Sequence, residues 1–582
     1  MIPVRAYFKL FKAYLEPHRR QAVLLAAVLG STIALQLLNP QFIRAFIDGA
    51  TSGDDVSSLW PIAVAFMVVA IAHQLLMVWA TYLAERIGWS ATNQLRADLT
   101  DHVLHLDMSF HKSTSPGSLI ERIDGDVTAL SNFFSSMIIK VIGNGVLLIG
   151  IIVLLWAESW IVGITITAIT VTTFLGLFRL HGVIVPWQKE IRATAAELYG
   201  FVGEQVDGTE DVEANGATGY MLSRFDDIQA RWEPQVVRGW RGWSYMWIGS
   251  MMLYFGSLIV VFVLGSYLFG IGTLTLGTVY LVFQYVQMAH NPVEQIRQEL
   301  IDLQKAGASI ERVQSLFDTE SALARNNSAT LPGGPLGVEF DDVTFSYGDA
   351  DDETVLETVS FSIAPGRVVG LLGRTGSGKT TVARLITRLH EPQTGSVKIG
   401  GMPTWDVEMA DLRHKVAMVT QDVQLFRATV RENLTFFDDS TPDSELMAVI
   451  ARLELEPWLE SLPNGLDTML EAGGGGLSAG QAQLLAFTRV FLRNPGVVVL
   501  DEASSRLDPA TERLIERAVD HLLEDRTAIL IAHRLATVAR ADDIVILDDG
   551  KVIEQGDRET LLSDPDSVLS GLIATGMEEV LA

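Results

Sequence analysis

Three long stretches of the chain contain almost no lysine or arginine, and they limit the possible folds more than any other feature. Gln21 to Glu85 contains Arg44 as its only basic residue. Val141 to Phe178 contains one charged residue, Glu158, and Gly242 to Pro292 contains none. A transmembrane helix needs about 20 apolar residues, so each stretch is long enough to cross a bilayer twice. The segments "DGATSGDDVSSL", "AES" and "FGIGTLTLG" supply a turn near the middle of each stretch.

The sequence therefore predicts three helical hairpins, and hence six transmembrane helices. The predicted spans are residues 21–43, 59–84, 137–157, 159–181, 244–268 and 273–293. Basic residues precede the first span (Arg5, Lys9, Lys12, Arg19 and Arg20), and acidic residues occupy the first turn (Asp48, Asp54 and Asp55). The positive-inside rule then places the N-terminus in the cytoplasm, and six spans return the chain there. A signal peptide is not expected, because no small-residue cleavage site follows a short apolar core.

Composition excludes several classes of protein. The chain has 43 Lys and Arg against 70 Asp and Glu, which gives a formal net charge of −27. A nucleic-acid-binding protein would usually show a basic face, so no nucleic-acid partner is expected. The acidic excess fits a large cytosolic part instead. The chain has no cysteine, which rules out disulfides and thiol catalysis.

Two polar segments, from about Glu85 to Lys140 and from about Arg179 to Arg241, are expected to extend the spans as cytosolic helices. Each contains a polar region broken by glycine, around His111–Arg122 and Val212–Gly219. Such regions are suited to contact another domain. Simple solvated loops are the alternative interpretation.

The sequence changes in character after the last span. A helical period continues to about Asp318, and "ALARNNSATLPGGPLG" is typical of a linker. From Val338 onward, short β-branched runs alternate with helical patterns, which indicates an α/β domain with a largely parallel sheet. The predicted organisation is an all-α transmembrane domain at residues 1–318, a linker at 319–336 and an α/β domain at 337–575.

The α/β domain contains a phosphate-binding pattern. "VVGLLGRTGSGKTTVARLI" is an apolar strand, a glycine-rich loop and a helix start, and it fits G-x-x-x-x-G-K-[ST] in the required context. The glycines let backbone N–H groups close around phosphates, Lys379 supplies a charge to the β- and γ-phosphates, and Thr380 can bind Mg²⁺. The candidate nucleotide-binding residues are Gly373, Arg374, Thr375, Gly376, Ser377, Gly378, Lys379, Thr380 and Thr381.

A second apolar strand, in "GVVVLDEASS", ends in two carboxylates. Asp501 suits a role on Mg²⁺, and Glu502 is placed to orient or deprotonate an attacking water. An Asp-Glu pair alone is usually a solvated turn. Paired with the phosphate loop, it indicates an ATPase.

A third glycine-rich feature is "EAGGGGLSAGQAQL" at residues 471–484. One interpretation is a flexible linker. The other is a turn that leads into an anion-binding helix start, because the following "AQLLAFTRVFL" has the spacing of a buried helix.

With these motifs the whole chain resembles a half-transporter of the ATP-binding cassette (ABC) exporter family, in which six spans are fused to one nucleotide-binding domain. "LSAGQ" at Leu477–Gln481 is similar to the family's signature LSGGQ. The resemblance implies that Ser478, Gly480 and Gln481 close over ATP held by the other subunit, so a dimer is expected. It also implies ATP and Mg²⁺ as ligands.

Four further roles are implied by the resemblance. "VTQDVQLF" resembles the Q-loop and places Gln421 on Mg²⁺ and at the coupling surface. "ILIAHRL" resembles the switch region and places His533 at the γ-phosphate. "VTFSYG" resembles the A-loop, with Tyr347 stacked on adenine, and "SRLD" resembles the D-loop, with Asp508 acting across the dimer. The two polar regions described above resemble the family's coupling regions.

Some positions depart from the family pattern. Ala479 replaces a signature glycine, Arg506 occupies a D-loop position that is usually small, the loop before the signature is nearly all glycine, and "AQLLAF" follows it in place of a basic, glutamine-rich run. These departures lie on the surface expected to act on the partner's ATP, whereas the residues expected to act on the chain's own ATP are intact. A heterodimer with a different half-transporter is therefore favoured over a homodimer. The alternative is that alanine simply replaces glycine where φ is negative.

The resemblance implies ATP-driven export of a substrate across the cytoplasmic membrane by alternating access, with an ATP-gated channel or regulatory subunit as the alternative. Lipid, peptide and drug-like substrates all stay open. Residues such as Trp243 and Met246 are more often helix packing or an interfacial belt than a binding pocket. Arg44 is either a functional-site candidate at membrane depth or a side chain that reaches the outer interface.

Overall fold

The computed structural model describes residues 12–321, 323, 328–348, 354–420, 423–471, 477–501, 509–531 and 538–574. The chain forms two compact units. One contains the residues up to Leu104 and from Pro116 to Thr319, and the other contains His105–Ser115 together with the chain from Glu320 onward. A short piece of the N-terminal half is therefore part of the C-terminal unit.

The N-terminal half is helical because long apolar runs without proline clusters or turn residues favour helices. Its helices are α1 (Arg19–Ser52), α2 (Val56–Leu104), α3 (Met108–Ser113), α4 (Pro116–Ile120), α5 (Val127–Ser136), α6 (Asn144–Glu158), α7 (Trp160–Asp207), α8 (Thr209–Ala214), α9 (Thr218–Gly270) and α10 (Leu276–Phe317). π-Helical turns at Glu121–Asp126 and Met137–Gly143 lie on either side of α5. Of these helices, α3 belongs to the second unit.

The three turns lie where the sequence predicts them. Gly53 ends α1 in the left-handed region with φ +84°, a single residue separates α6 from α7, and Ile271–Thr275 joins α9 to α10. Among the described residues, four helical stretches are long and apolar enough to cross a membrane: Lys12–Ser52, Val56–Leu104, Ile139–Glu158 and Thr218–Gly270. The predicted spans 159–181 and 273–293 begin at the N-terminal ends of α7 and α10, and the total of six spans stays a prediction.

The core of the first unit lies between α1, α6, α7, α9 and α10. Tyr285 of α10 is fully buried there, and its hydroxyl donates to the carbonyl of Leu37 at 2.8 Å and accepts from Gln41 Nε2 at 3.1 Å. The tyrosine thus contributes apolar area to the core while its polar group is satisfied by α1. This pair of bonds fixes the register of α1 against α10.

In its described part, the second unit contains ten strands: β1 (Val338–Phe345), β2 (Leu356–Ile363), β3 (Val368–Gly373), β4 (Thr394–Ile399), β5 (Met402–Pro403), β6 (Val416–Val419), β7 (Val497–Asp501), β8 (Thr527–Ile531), β9 (Asp543–Asp548) and β10 (Lys551–Asp557). Its other helices are α11 (Lys379–Ile386), α12 (Met409–Lys415), α13 (Val430–Thr435), α14 (Asp443–Arg452), α15 (Glu456–Ser461), α16 (Ala479–Arg493), α17 (Pro509–Leu523), α18 (Arg558–Ser563) and α19 (Val568–Ala574).

The strands form two sheets. The larger has the order β10-β9-β3-β8-β7-β6, and all of its pairs are parallel except β9 with β10. The smaller has the order β2-β1-β4-β5 and is antiparallel. The predicted α/β domain with a largely parallel sheet is confirmed. The antiparallel sheet is additional to that prediction.

Both faces of the larger sheet are buried. In β7, Val497 and Val499 belong to one hydrophobic cluster, while Val498 and Leu500 belong to another on the opposite face. Side chains alternate along a strand, so the uninterrupted run of valines serves both clusters at once. This packing holds the carboxyl ends of β3, β7 and β8 along one edge of the sheet.

Candidate nucleotide-binding site

The glycine-rich loop follows β3 directly and leads into α11. Gly373 has φ +150°, and a Cβ there would lie 2.2 Å from the carbonyl oxygen of Leu547. Gly378, the N-cap of α11, has φ +101°, and its Cβ would lie 2.5 Å from Leu356 Cδ2. Both positions therefore require glycine for conformation and for space. The predicted strand, loop and helix start are all present.

Lys379 is the first residue of α11 and its side chain is buried. Its Nζ donates to the carbonyl oxygens of Gly373 and Arg374, at 2.7 and 2.8 Å. The loop thus wraps around the ammonium group and holds a positive charge at a helix N-terminus, where the helix dipole also favours an anion.

Two observations show that this loop fits a nucleotide phosphate. The hydroxyl of Ser377 is buried, and it has no hydrogen-bond partner among the described residues, so it is available to an incoming anion. The backbone of the loop also approaches its surroundings too closely for any side chain at Gly373 or Gly378. A glycine-lined loop with a free donor and a buried ammonium is suited to bind phosphate oxygens.

Asp501 is the last residue of β7 and is 7% exposed. Across β8, Ile531 pairs with Asp501 on one side and with Leu371 of β3 on the other. Asp501 therefore lies at the level of the last residues of β3, two strand spacings, or about 10 Å, from the start of the phosphate loop. A carboxylate and a phosphate loop at the same edge of the sheet can share one metal-nucleotide ligand.

The described residues contain no group of three or more His, Asp or Glu side chains that could hold a metal ion by themselves. This fits Mg²⁺, which keeps several waters and takes one or two protein ligands alongside phosphate oxygens. Thr380 and Asp501 are the described residues suited to that role.

Tyr347 follows the end of β1, and its hydroxyl is fixed by α11. Arg384 Nη1 donates to that hydroxyl at 2.9 Å, and the hydroxyl lies 2.9 Å from Thr381 Oγ1. The rings of Phe345 and His390 lie roughly perpendicular to the Tyr347 ring, at centroid distances of 5.0 and 5.3 Å. The structure thus brings the predicted adenine-binding ring to the helix that starts at the phosphate loop.

The signature segment is organised as a helix start. Ser478 is the N-cap of α16, its Oγ accepts from the backbone N–H of Gln481, and Gln481 Oε1 accepts from the N–H of Ser478 at 2.8 Å. This reciprocal pair satisfies two N–H groups that a helix start leaves open. Of the two interpretations of the glycine-rich segment, the one with a buried helix is correct from Ala479 onward. Residues 472–476 lie outside the described residues.

The first predicted coupling region, around His111–Arg122, is divided between the two units, and its role in coupling stays a prediction. Residues 105–115 form part of the ATPase unit, whereas Pro116 and the residues after it belong to the membrane unit. Asp107 caps α3 by accepting from the N–H of Phe110 at 3.1 Å, and Lys112 Nζ lies 4.3 Å from the centroid of the Tyr347 ring. The second predicted region, Val212–Gly219, belongs to the membrane unit, and α8, which overlaps its start, has no buried residue.

Four predicted site residues, Gln421, Glu502, Asp508 and His533, lie outside the described residues, as does Arg506. Their chain positions are informative nonetheless. Gln421 comes two residues after β6 ends, Glu502 directly after β7, and His533 two residues after β8.

Sequence reasoning missed two residues near the site, Lys112 and Arg489. Arg489 lies in α16 and is 8% exposed, and it donates to the carbonyl of Asn433 at 2.6 Å and to that of Gln424 at 3.0 Å. Burial lowers the pKa of this guanidinium to about 10. A lone arginine within the apolar run "AQLLAFTRVFL" is the signal that could have identified it.

A parallel sheet with a phosphate loop and a buried aspartate at its carboxyl edge defines a nucleotide-hydrolysing domain, and here it is joined to long apolar helices. Comparison with protein families agrees: a model described as "ABC transporter transmembrane region" matches residues 22–290, and one described as "ABC transporter" matches residues 356–505. The chain belongs to the ABC transporter family, as an exporter-type half-transporter whose ATPase is coupled to transport.

Similar proteins extend over nearly the whole chain. An ATP-dependent lipid A-core flippase of Pseudoalteromonas atlantica is 29% identical over 582 residues, which cover 97% of this chain and 96% of that protein. One of the same name from Desulfotalea psychrophila is 28% identical over 515 residues, which cover 85% and 87%. A solved structure of a bacterial Atm1-family ABC exporter with ATP bound has the same fold, with a TM-score of 0.81 at 24% identity over 96% of this chain and 98% of that one.

Proposed function

We propose that this chain is one half of a dimeric exporter in the cytoplasmic membrane, with its N-terminus and ATPase unit in the cytoplasm. ATP binding closes two ATPase units, the coupling segments turn the helices from inward- to outward-facing, and hydrolysis resets them. One observation carries this proposal. The phosphate loop and Asp501 lie at one edge of the larger sheet, and the unit that contains this sheet also contains residues 105–115 from the helical half of the chain. Similar proteins named lipid A-core flippases support export as the direction.

The phosphate loop, residues 373–381, would bind the phosphates of ATP, with Lys379 as the charge that faces them. Thr380, Asp501 and Gln421 would hold Mg²⁺, which neutralises the charge that develops on the phosphates. Tyr347 would stack on adenine.

Two residues after the ends of strands would position the water and the γ-phosphate. Glu502 directly follows Asp501 and would orient or deprotonate the attacking water. His533 would contact the γ-phosphate from the end of the neighbouring strand. The carboxyl ends of β7 and β8 lie side by side, which supports both roles.

Ser478, Gly480, Gln481 and Asp508 would act on the ATP of the partner subunit. The capping box at Ser478 supports this role, because it fixes the start of α16 without using all of the backbone N–H groups there. We propose a different chain as the partner, since the departures at Ala479 and Arg506 lie on the surface expected to act in trans.

The test uses purified dimer in proteoliposomes. Glu502→Gln should lower steady-state ATP hydrolysis by about 10² or more, because general-base catalysis contributes about that factor, while ATP stays bound. Lys379→Ala should weaken ATP binding itself. Glu460→Gln, on the exposed side of α15, is the matched control and should change neither.

Equal turnover in Glu502→Gln and the unaltered protein would remove Glu502 from the base role, and unchanged ATP binding in Lys379→Ala would count against the phosphate loop. Transport distinguishes the exporter from its alternative. An exporter accumulates substrate against a gradient with ATP, whereas an ATP-gated channel or a regulatory subunit only equilibrates it or moves none.

A further inference from the structure

The start of the first coupling segment is a small, well-defined element of the ATPase unit. It consists of α3 and the residues around it, 105–115, and three residues separate α3 from the end of α2 at Leu104. Asp107 caps α3, and Ser113 Oγ donates to the carbonyl of Phe110 at 2.9 Å near its end. These bonds hold the backbone that carries Lys112.

Lys112 lies over a face of the Tyr347 ring. Its Nζ is 4.3 Å from the ring centroid, within the range of about 6 Å in which a cation is attracted to an aromatic face. A second contact joins the same elements, because Ser109 Oγ lies 3.5 Å from His390 Nδ1, and the His390 ring lies 5.3 Å from that of Tyr347 and roughly perpendicular to it. Burial and the nearby charges of Arg384 and Lys112 lower the pKa of His390, which favours the neutral form of its ring.

The remaining sides of the tyrosine ring are also engaged. Its hydroxyl is held by Arg384 and Thr381, at 2.9 Å each, and the rings of Phe345 and His390 lie roughly perpendicular to it. The guanidinium of Arg384 lies farther from the ring than Lys112 does, at 5.7 Å from the centroid. A planar ring offers two faces for stacking, and a purine that stacks on this ring would take the face opposite Lys112.

We propose that Lys112 is a positioning residue for the adenine subsite: it backs one face of Tyr347 while the base of ATP stacks on the other. The inference rests on the proposed role of Tyr347 in nucleotide binding. A cation on the far face holds the ring in the orientation in which the base stacks on it. Part of the entropy cost of ordering the Tyr347 side chain is therefore met before ATP binds.

This arrangement links the base of the nucleotide to the coupling segment. Binding linkage is reciprocal, so whatever Lys112 contributes to adenine binding, adenine contributes equally to the placement of α3. Because α3 lies three residues from the end of α2, the link leads directly into a helix long enough to cross the membrane. The phosphates alone would not engage it.

The experiment compares a ligand that has the base with one that lacks it. Dissociation constants for ATP and for inorganic tripolyphosphate are measured on the full-length dimer in nanodiscs, for the unaltered protein and for Lys112→Met, Lys112→Arg and Lys189→Met. We expect Lys112→Met to raise the Kd for ATP by about 2- to 5-fold, from the usual strength of an exposed cation–π contact, with the Kd for tripolyphosphate unchanged. Lys112→Arg should restore ATP binding, and Lys189→Met, an exposed lysine on α7, controls for lost charge.

Three results would overturn the inference. If Lys112→Met weakens the binding of ATP and of tripolyphosphate equally, Lys112 only attracts anions in general. If the variant binds ATP more tightly, Lys112 occupies the face that the base needs. If neither Kd changes, Lys112 has no role in nucleotide binding. The variant Tyr347→Ala shows whether such a result contradicts only the role of Lys112 or also the proposed role of Tyr347 in nucleotide binding. If that variant binds ATP as before, adenine does not stack on Tyr347 at all. If it binds ATP more weakly and Lys112→Met does not, only the role of Lys112 is wrong. In a double variant, the loss should not exceed that of Tyr347→Ala alone.

Discussion

Arg489 shows how a single buried cation can organise the surroundings of a nucleotide site. No carboxylate is paired with it among the described residues; instead, its N–H groups donate to the carbonyls of Asn433 and Gln424, and its guanidinium lies 4.5 Å from the centroid of Phe436. Gln424 belongs to the segment after β6 that resembles the Q-loop. Arg489 therefore ties the helix that begins at the signature to that segment.

We expect Arg489→Met to destabilise the ATPase unit by about 2–3 kcal/mol, because hydrogen bonds from a charged donor are lost and buried carbonyls are left without partners. Arg493→Met is the matched control: it faces the same ring at 5.2 Å, and its substitution should cost less than about 1 kcal/mol. Thermal unfolding of the purified protein, followed by the ATPase-unit transition, measures both. Equal losses in the two variants would show that the cation–π contact, rather than the hydrogen bonds, carries the effect.

At the residue scale, the sequence predicts chemistry that depends on local order along the chain. The strand, glycines and Lys379 of the phosphate loop are contiguous, so their pattern contains its own structural context. Lys112 is different, because its partner Tyr347 is 235 positions later, and no local pattern connects a lysine in a helical turn with that ring. Contacts of this kind come only from the folded chain.

The ends of the long helices are fixed by the few charges that the apolar stretches contain. Arg44 of α1 lies 2.5 Å from Glu158 at the end of α6, so the only basic residue of the first apolar stretch pairs with the only charged residue of the second. Asp48 accepts from the N–H of Gly277 at 2.8 Å and from Thr275 Oγ1 at 2.9 Å, which caps the start of α10. The two interpretations of Arg44, a functional site at membrane depth or a side chain that reaches the outer interface, both stay predictions. The structure shows an ion pair between helices.

A charge-reversal cycle tests this pair. Arg44→Glu and Glu158→Arg should each lower the thermal stability of the membrane unit, since each places like charges together, and the double reversal should recover part of the loss. The coupling between the sites should be about 0.5–3 kcal/mol, the usual range for residues in direct contact. Unfolding temperatures in nanodiscs, measured for all four proteins, give the coupling. Additive losses would mean that the two side chains act independently.

At the element scale, period and length predict most of what forms. The three long apolar stretches predict the long helices and their turns. The β-branched run of β7 predicts a strand that is buried on both faces. The sequence does not predict the antiparallel sheet, because its strands are half exposed. In β1, buried and exposed residues alternate only in part, and a β-bulge interrupts the strand. The π-helical turns beside α5 have no sequence pattern that distinguishes them from an α-helix.

For the whole molecule, the family and the coupling of an ATPase to transport follow from motifs that are each local, whereas the identity of the partner depends on surfaces. The structure refines one argument about that partner. Ala479 is the first residue of α16. Among the described residues, the non-glycine positions with positive φ do not include Ala479, so the backbone there does not require glycine. Its effect must therefore come from the added methyl group, on a residue that is exposed.

An exposed methyl group beside Ser478 would lie on the surface proposed to close over the partner's ATP. In a homodimer it would face both nucleotides, and in a heterodimer only one, opposite a partner whose own catalytic residues are weakened. Arg506 and the all-glycine loop belong to the same proposed surface, and the residues proposed to act on the chain's own ATP keep the family's residue types. We expect this chain, expressed alone, to hydrolyse ATP far more slowly than the complete heterodimer, and Ala479→Gly combined with Arg506→Ser to raise that rate. Size measurement in nanodiscs and single-turnover hydrolysis per site test both expectations. A stable homodimer whose two sites hydrolyse at equal, full rates without those substitutions would show that one kind of chain is sufficient.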